Sequence, residues 1–278
     1  MFSVNDIYTK LKSFKAELGS DYSQLYLAKL DVHAAFDTIP QEAVVRLMGC
    51  VPTQSQYAIT KHAEVKPGER SIDAANKPAT RPIRKWHATA LGDDEPSMFA
   101  DRLKAGLGNK KKNTVFVDSA MRKTHSTTSL LGLLAQHVTQ NLVKVGKKYY
   151  RQKTGIPQGS VLSSFLCNYF YADLEIHQLG FLNTPDCLLL RLIDDFLLVT
   201  LDRSKAVRFV ETMHRGLPEY GVQVNPKKTL VNFDMEIPGG KVNRVAKGEG
   251  FPYCGTLINC RTLDITKDRD KSKNIRTS

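Results

Sequence analysis

The feature that most constrains this chain is a pair of strand-like runs, Cys187 to Ile193 and Phe196 to Thr200, separated only by Asp194 and Asp195. Short runs dense in Leu, Val, Ile and Phe read as buried strands, and a two-residue connection can join such strands only as an antiparallel hairpin. The chain must therefore fold around a sheet with two adjacent carboxylates at the end of a buried hairpin. Aspartates also occupy hairpin tips for turn geometry alone. Taken in isolation, the pair is equally a turn or a site.

A second strand-borne carboxylate changes that balance. In the run Leu25 to Val32, Tyr26, Ala28, Leu30 and Val32 share one face while Leu27, Lys29 and Asp31 share the other. Strands are depleted in aspartate, and a covered carboxylate needs a cation to satisfy it. Three acidic groups from two segments, Asp31, Asp194 and Asp195, can converge on divalent metal. Two magnesium ions roughly 3.5 to 4 Å apart would activate a primer 3′-hydroxyl and stabilise leaving pyrophosphate, and hard oxygen ligands suit Mg²⁺. That chemistry joins nucleotides. A net charge of +12 fits a polyanionic partner, because lysines and arginines that neutralise phosphates release counterions.

The surroundings predict helices over 3–18 and 126–145, and a third that Ser160 caps and Gly180 ends, with Leu162, Phe165, Leu166, Tyr169 and Phe170 as its apolar stripe. Ser204 to Leu217 forms another amphipathic helix, and Val222 to Phe233 and Phe251 to Asn259 read as further strands. This order gives an α+β fold: an antiparallel sheet with helices on one face and the other face open. Between about Val44 and Asp118 periodicity weakens and cations accumulate, among them Lys61, Lys66, Arg70, Lys77, Arg84 and Lys110 to Lys112, as expected of an inserted subdomain. The expected division is 1–45, 46–118, 119–263 and 264–278. Five scattered cysteines lack zinc spacing and read as reduced thiols, and nothing has the form of a membrane span or secretion signal.

With these segments placed, the chain resembles the telomerase reverse transcriptases. KLDVHAAFDTIP at 29–40 is similar to motif A of that family, TGIPQGSVLSSFLCNYFYADLE at 154–175 to motif B′, and LLLRLIDDFLLVT at 188–200 to motif C. GVQVNPKKTLVNF at 221–233 is similar to motif D, and FPYCGTLINCRTLDI at 251–265 to motif E. The resemblance implies a polymerase palm with an insertion in its fingers. It assigns Asp31, Asp194, Asp195 and the Val32 carbonyl to two Mg²⁺ ions, and Phe36 to the sugar of the incoming nucleotide, where an aromatic ring crowds a 2′-hydroxyl. Telomerases often carry Tyr at that position, so Phe36 departs towards the retroelement pattern. Gln158 and Gly159 are implied at the incoming base pair, Lys228 at the leaving triphosphate, and Tyr253, Cys254 and Gly255 in the primer grip.

The implied partners are a telomerase RNA template, a telomeric single-stranded DNA primer and deoxynucleoside triphosphates, in the nucleus at chromosome ends. Family motifs expected before motif A, the RNA-binding domain and the thumb find no counterpart in this sequence, so a fragment inactive alone is expected. The competing readings are a retroelement or group II intron-type reverse transcriptase and a non-catalytic palm-like scaffold. Such scaffolds tend to lose metal carboxylates, and all three are present here.

Overall fold

The strand that ends in Asp31 becomes the middle strand of a five-stranded sheet. The computed structural model describes residues 4–19, 24–68, 81–92, 98–107, 111–238 and 240–268, and the chain divides into one unit of residues 1–47 with 138–278 and another of 48–137. Arg70, Lys77, Lys110 and the last ten residues, to which part of the sequence reading applied, lie outside the described residues.

From the N-terminus the chain forms α1 (Val4–Leu18), β1 (Tyr26–Asp31), α2 (Ala35–Thr38) and α3 (Gln41–Met48). The second unit follows with β2 (Gln56–Lys66), β3 (Ile83–Leu91), α4 (Phe99–Arg102), a π-helical turn at Leu103–Leu107, β4 (Val115–Ser126) and α5 (Thr127–Thr139). The first unit resumes with β5 (Leu142–Val145), β6 (Lys148–Arg151), α6 (Ser163–Gln178), β7 (Cys187–Leu192), β8 (Asp195–Thr200) and α7 (Arg203–His214). Short strands complete it: β9 (Leu230–Val231), β10 (Glu236–Ile237), β11 (Gly240–Lys241), β12 (Asn243–Arg244), β13 (Phe251–Tyr253), β14 (Thr256–Ile258) and β15 (Ile265–Lys267).

The main sheet runs β12-β9-β1-β8-β7, with β1 antiparallel to both neighbours. Period-two alternation gives each face its own core. On one face Ala28, Leu30, Phe196 and Leu198 are buried with α6 and α7, which supply Leu166, Phe170, Tyr171, Phe209, Val210 and Met213. On the other, Leu25, Leu27, Leu190, Leu197 and Val199 join Ile7, Leu11 and Phe14 of α1 and Phe251, Tyr253 and Ile258 of the β13–β14 hairpin in one apolar cluster. Element order alone predicts an open second face. It is covered over its apolar half and stays polar only at the end bearing Lys29, Asp31 and Asp195, because the apolar alternation of β1 stops at Leu27.

Three local expectations shift. The hairpin loop is Ile193-Asp194, not Asp194-Asp195: Leu192 pairs with Asp195 and Cys187 with Thr200, so Asp195 opens β8. Ser160 does not cap α6, which begins at Ser163; its hydroxyl oxygen accepts from the Leu162 amide at 3.2 Å, closing a separate turn. The helix expected over 126–145 stops at Thr139, and Leu142 to Arg151 form a hairpin turned at Gly146 (φ +63°). Val143, Val145, Tyr149 and Tyr150 favour strand over helix there.

In the second unit β2 is central, antiparallel to β3 and β4, and one face of this sheet buries Thr60, His62 and Glu64. Arg102 of α4 donates to the Thr60 hydroxyl at 2.9 Å, and Phe99 and Phe116 pack their rings against His62. No helix among the described residues is long and apolar enough to cross a membrane, and none of the five cysteines is in a disulfide.

Candidate active site

Register brings the carboxylates together. Asp31, the last residue of β1, lies directly opposite Asp195, the first of β8, so both side chains leave the same face at the same level of the sheet. Asp194 sits in the connecting loop, and its carbonyl accepts the Val32 amide at 3.1 Å, which extends the β1–β8 ladder one step past Asp31. Ile193, the first loop residue, has φ +58°. A β-branched residue in the left-handed region is strained, and strain of this kind persists only where surrounding structure enforces it.

The electrostatics follow from this crowding. Burial, then the neighbouring charges of Asp195 and Asp31, push the Asp194 carboxyl above the usual range. The Asp195 Oδ1 atom is buried without a hydrogen-bond donor, and its nearest cation is Lys29 Nζ at 3.7 Å. Lys228 closes the cluster, its Nζ lying 2.9 and 3.0 Å from the two Asp31 carboxylate oxygens. It stands on a 3₁₀ turn, Pro226–Lys228, capped by Asn225, whose own amide donates to the Asp31 carbonyl at 3.1 Å. The bond to Asp31 raises the Lys228 pKa, so the amine keeps its proton through the neutral range.

These residues fit divalent cations on chemical grounds: the donors are oxygens, one is buried and unpartnered, and like charges lie side by side with an amine already drawn among them. As the side chains stand, no group of three His, Cys, Asp or Glu among the described residues forms a closed cage.

The turn that carries Phe36 is held by two close backbone approaches. Phe36 lies in α2, entered through Ala34 (φ +49°). Gly155 packs so tightly on that turn that a Cβ there would come within 2.2 Å of the Phe36 carbonyl oxygen, and a Cβ on Gly221 would meet the Thr38 carbonyl oxygen at 2.0 Å. The Ile156 amide donates to the Phe36 carbonyl at 2.7 Å. Gln158 and Gly159 are exposed on the same loop; the Gln158 amide donates to Asp37 Oδ1 at 2.8 Å, and Gly159 turns through φ +80° in open space. The loop before α6 is thus fastened to the turn after β1.

Tyr253 does not face outward. It is buried, and its hydroxyl donates to the Asp195 carbonyl at 3.1 Å; the same burial raises its pKa. Cys254 (φ +46°) and Gly255 (φ +75°) form the tight turn beyond it, and burial pushes the Cys254 thiol up to about 11.

Two residues of this region were missed from sequence. Lys29 is the nearest cation to Asp195, and its place on the face of Asp31 was legible from alternation alone. Arg191 was not legible as more than one cation inside a Leu-rich run. It is buried, pairs with Glu175, donates to Asn168 Oδ1 at 2.8 Å and to the Ile193 carbonyl at 3.2 Å, and lies over the rings of Tyr171 and Phe196. It ties α6 to the strained turn that presents Asp194.

Comparison with known proteins agrees with this geometry. Residues 108–255, more than half of the chain, match the family described as reverse transcriptase (RNA-dependent DNA polymerase). The chain belongs to this reverse transcriptase family. Within it, the chain is similar to the telomerase reverse transcriptase of Canis lupus familiaris, 33% identical over 96% of this chain and 24% of that protein. It is also similar to that of Mus musculus, 32% identical with the same coverage, and that of Euplotes aediculatus, 26% identical over 84% of this chain and 24% of that protein. The resemblance drawn from the motifs is thereby borne out, and the chain spans about a quarter of the length of these relatives. Among solved structures, apo telomerase from Candida Tropicalis superposes with a TM-score of 0.61 at 22% identity, covering 96% of this chain and 37% of that one. Telomerase from Candida albicans, in complex with a TWJ fragment of telomeric RNA, gives 0.62 at 20% identity, covering 97% and 34%. These confirm the α+β palm fold.

Proposed function

We propose that this chain is the nucleotidyl-transfer centre of a telomerase-type RNA-directed DNA polymerase, which copies a template within a bound telomerase RNA onto the 3′ end of a telomeric single-stranded DNA primer, in the nucleus. The observation that carries this reading is the cross-strand pairing of Asp31 with Asp195 beside Asp194. Two Mg²⁺ ions bound by these carboxylates and the Val32 carbonyl would supply the activation of the primer hydroxyl and the stabilisation of the leaving pyrophosphate. The chain's own residues do the rest. Lys228 brings a protonated amine to the edge of the cluster, where it can neutralise charge or donate a proton to the leaving group. Gln158 and Gly159 offer an exposed edge for the incoming base pair, and Phe36, on a turn that two glycines hold, crowds the sugar. The Cys254-Gly255 turn is read as the primer contact, joined to the Asp195 backbone through Tyr253.

The test is Asp194→Ala in the full-length protein assembled with its RNA. Primer extension should fall to background while RNA binding is retained. Extension at the original rate would end the reading.

A further inference from the structure

We propose that the open face of the β3-β2-β4 sheet is a docking platform for single-stranded DNA, with Trp86 as its stacking residue. One face of this sheet is filled by Thr60, His62 and Glu64 with their covering rings. An antiparallel sheet with one packed face ordinarily turns polar residues outward on the other. This one does not. Trp86 is 61% exposed and Val117 49% exposed, on either side of buried Ala63, which pairs with both across the strands. Alternation places Lys61, Arg84 and Lys123 on the same face, and all three are exposed. No carboxylate shares that face among the described residues of the three strands.

A flat aromatic and aliphatic surface ringed only by cations matches one ligand chemistry, a strand whose unpaired bases stack while its phosphates are neutralised. A protein partner of ordinary composition would meet three uncompensated charges. The choice of DNA over RNA comes from the polymerase reading, in which a DNA primer longer than the site that extends it carries unpaired bases beyond that site. The proposal rests on that reading for this choice alone.

Trp86 is the chain's single tryptophan, so its fluorescence reports its own contacts. Titrating the whole chain with oligo(dT) of about 15 nucleotides should quench that emission, in step with the anisotropy change of a labelled oligonucleotide. Trp86→Ala should weaken binding by about tenfold or more, with Trp86→Phe retaining most of it and both variants keeping the parent's far-ultraviolet circular dichroism. The triple variant Lys61→Ala, Arg84→Ala, Lys123→Ala should flatten the slope of log affinity against log salt by about 2. Binding without quenching, or unchanged affinity in Trp86→Ala, would overturn the proposal and leave the face to a protein. Equal quenching by oligo(rU) would overturn the assignment to DNA, and emission that depends on protein concentration without oligonucleotide would assign the face to a second copy. Asp194→Ala should leave quenching intact, so loss of the platform and loss of the polymerase reading are told apart.

Discussion

At the scale of single residues, the site is a balance of charges that no one side chain can satisfy. Asp31 makes the Lys228 proton harder to remove, and the raised pKa has a definite sign: on the lysine side the pairing is at full strength below the ordinary value of 10.5 and is lost as pH rises through the higher folded value. No acid in the physiological range switches it off. Lys228→Ala should therefore slow single-turnover nucleotide addition by about 10²-fold between pH 6.5 and 8.5, and Lys228→Arg should recover part of the rate by restoring charge; equal rates for the parent and the alanine variant would remove Lys228 from the chemistry. Phe36 belongs to the same scale. Phe36→Ala should raise incorporation of ribonucleotides relative to deoxynucleotides by about tenfold or more, measured by competition, and an unchanged ratio would return the ring to a structural role.

At the scale of elements, the decisive contacts are backbone against backbone. Gly155 and Gly221 close on the α2 turn from two segments far apart in sequence, and each combines a positive φ with space for no Cβ. Gly155→Ala and Gly221→Ala should each destabilise the first unit by more than about 2 kcal/mol in urea titrations, whereas Gly159→Ala, in open space, should cost only its φ penalty of about 1–2 kcal/mol. Comparable losses at all three would mean that the close approach contributes nothing. This scale also shows what the sequence made legible. Alternation along β1 placed Asp31 and Lys29 on one face, and the apolar density of β7 and β8 announced the hairpin, because burial is written in residue type. The one-residue shift of the loop onto Ile193 was not legible, since no propensity places a β-branched residue at φ +58°. Only tertiary ties explain it, chiefly Arg191 bonded to the Ile193 carbonyl. The β5–β6 hairpin was hidden for a different reason: its apolar residues continue the spacing of α5 closely enough to imitate another helical turn.

At the scale of the whole molecule, each unit has its own sheet and its own core, and Trp86 belongs to the second alone. Unfolding should therefore not be a single transition. Tryptophan emission should report the second unit and Arg191→Met should leave its midpoint in place, while the far-ultraviolet signal of the first unit shifts to lower denaturant by the loss of a half-buried, charge-assisted hydrogen-bond network, about 1.5–3 kcal/mol. Coincident transitions in both proteins would show one cooperative body instead. The broad architecture, an antiparallel sheet bearing carboxylates at the ends of its strands, was readable from the order of the segments. Which sheet face stays open was not, because the covering elements, α1 and the β13–β14 hairpin, lie at opposite ends of the sequence.

The central position of β1 has one more consequence, in time rather than space. Its partners β8 and β9 lie far downstream, Asp31 pairing with Asp195 and Ala28 with Val231. A ribosome adding about 5–20 residues per second delivers β1 roughly ten to thirty seconds before the strand that completes the carboxylate pair, and through that interval both edges of β1 stand unpaired. The second unit is made entirely within this wait and can fold during it. A nascent chain halted before β8 would expose an apolar strand without a neighbour, so synthesis of this protein should depend on chaperones most steeply while its middle third is being made.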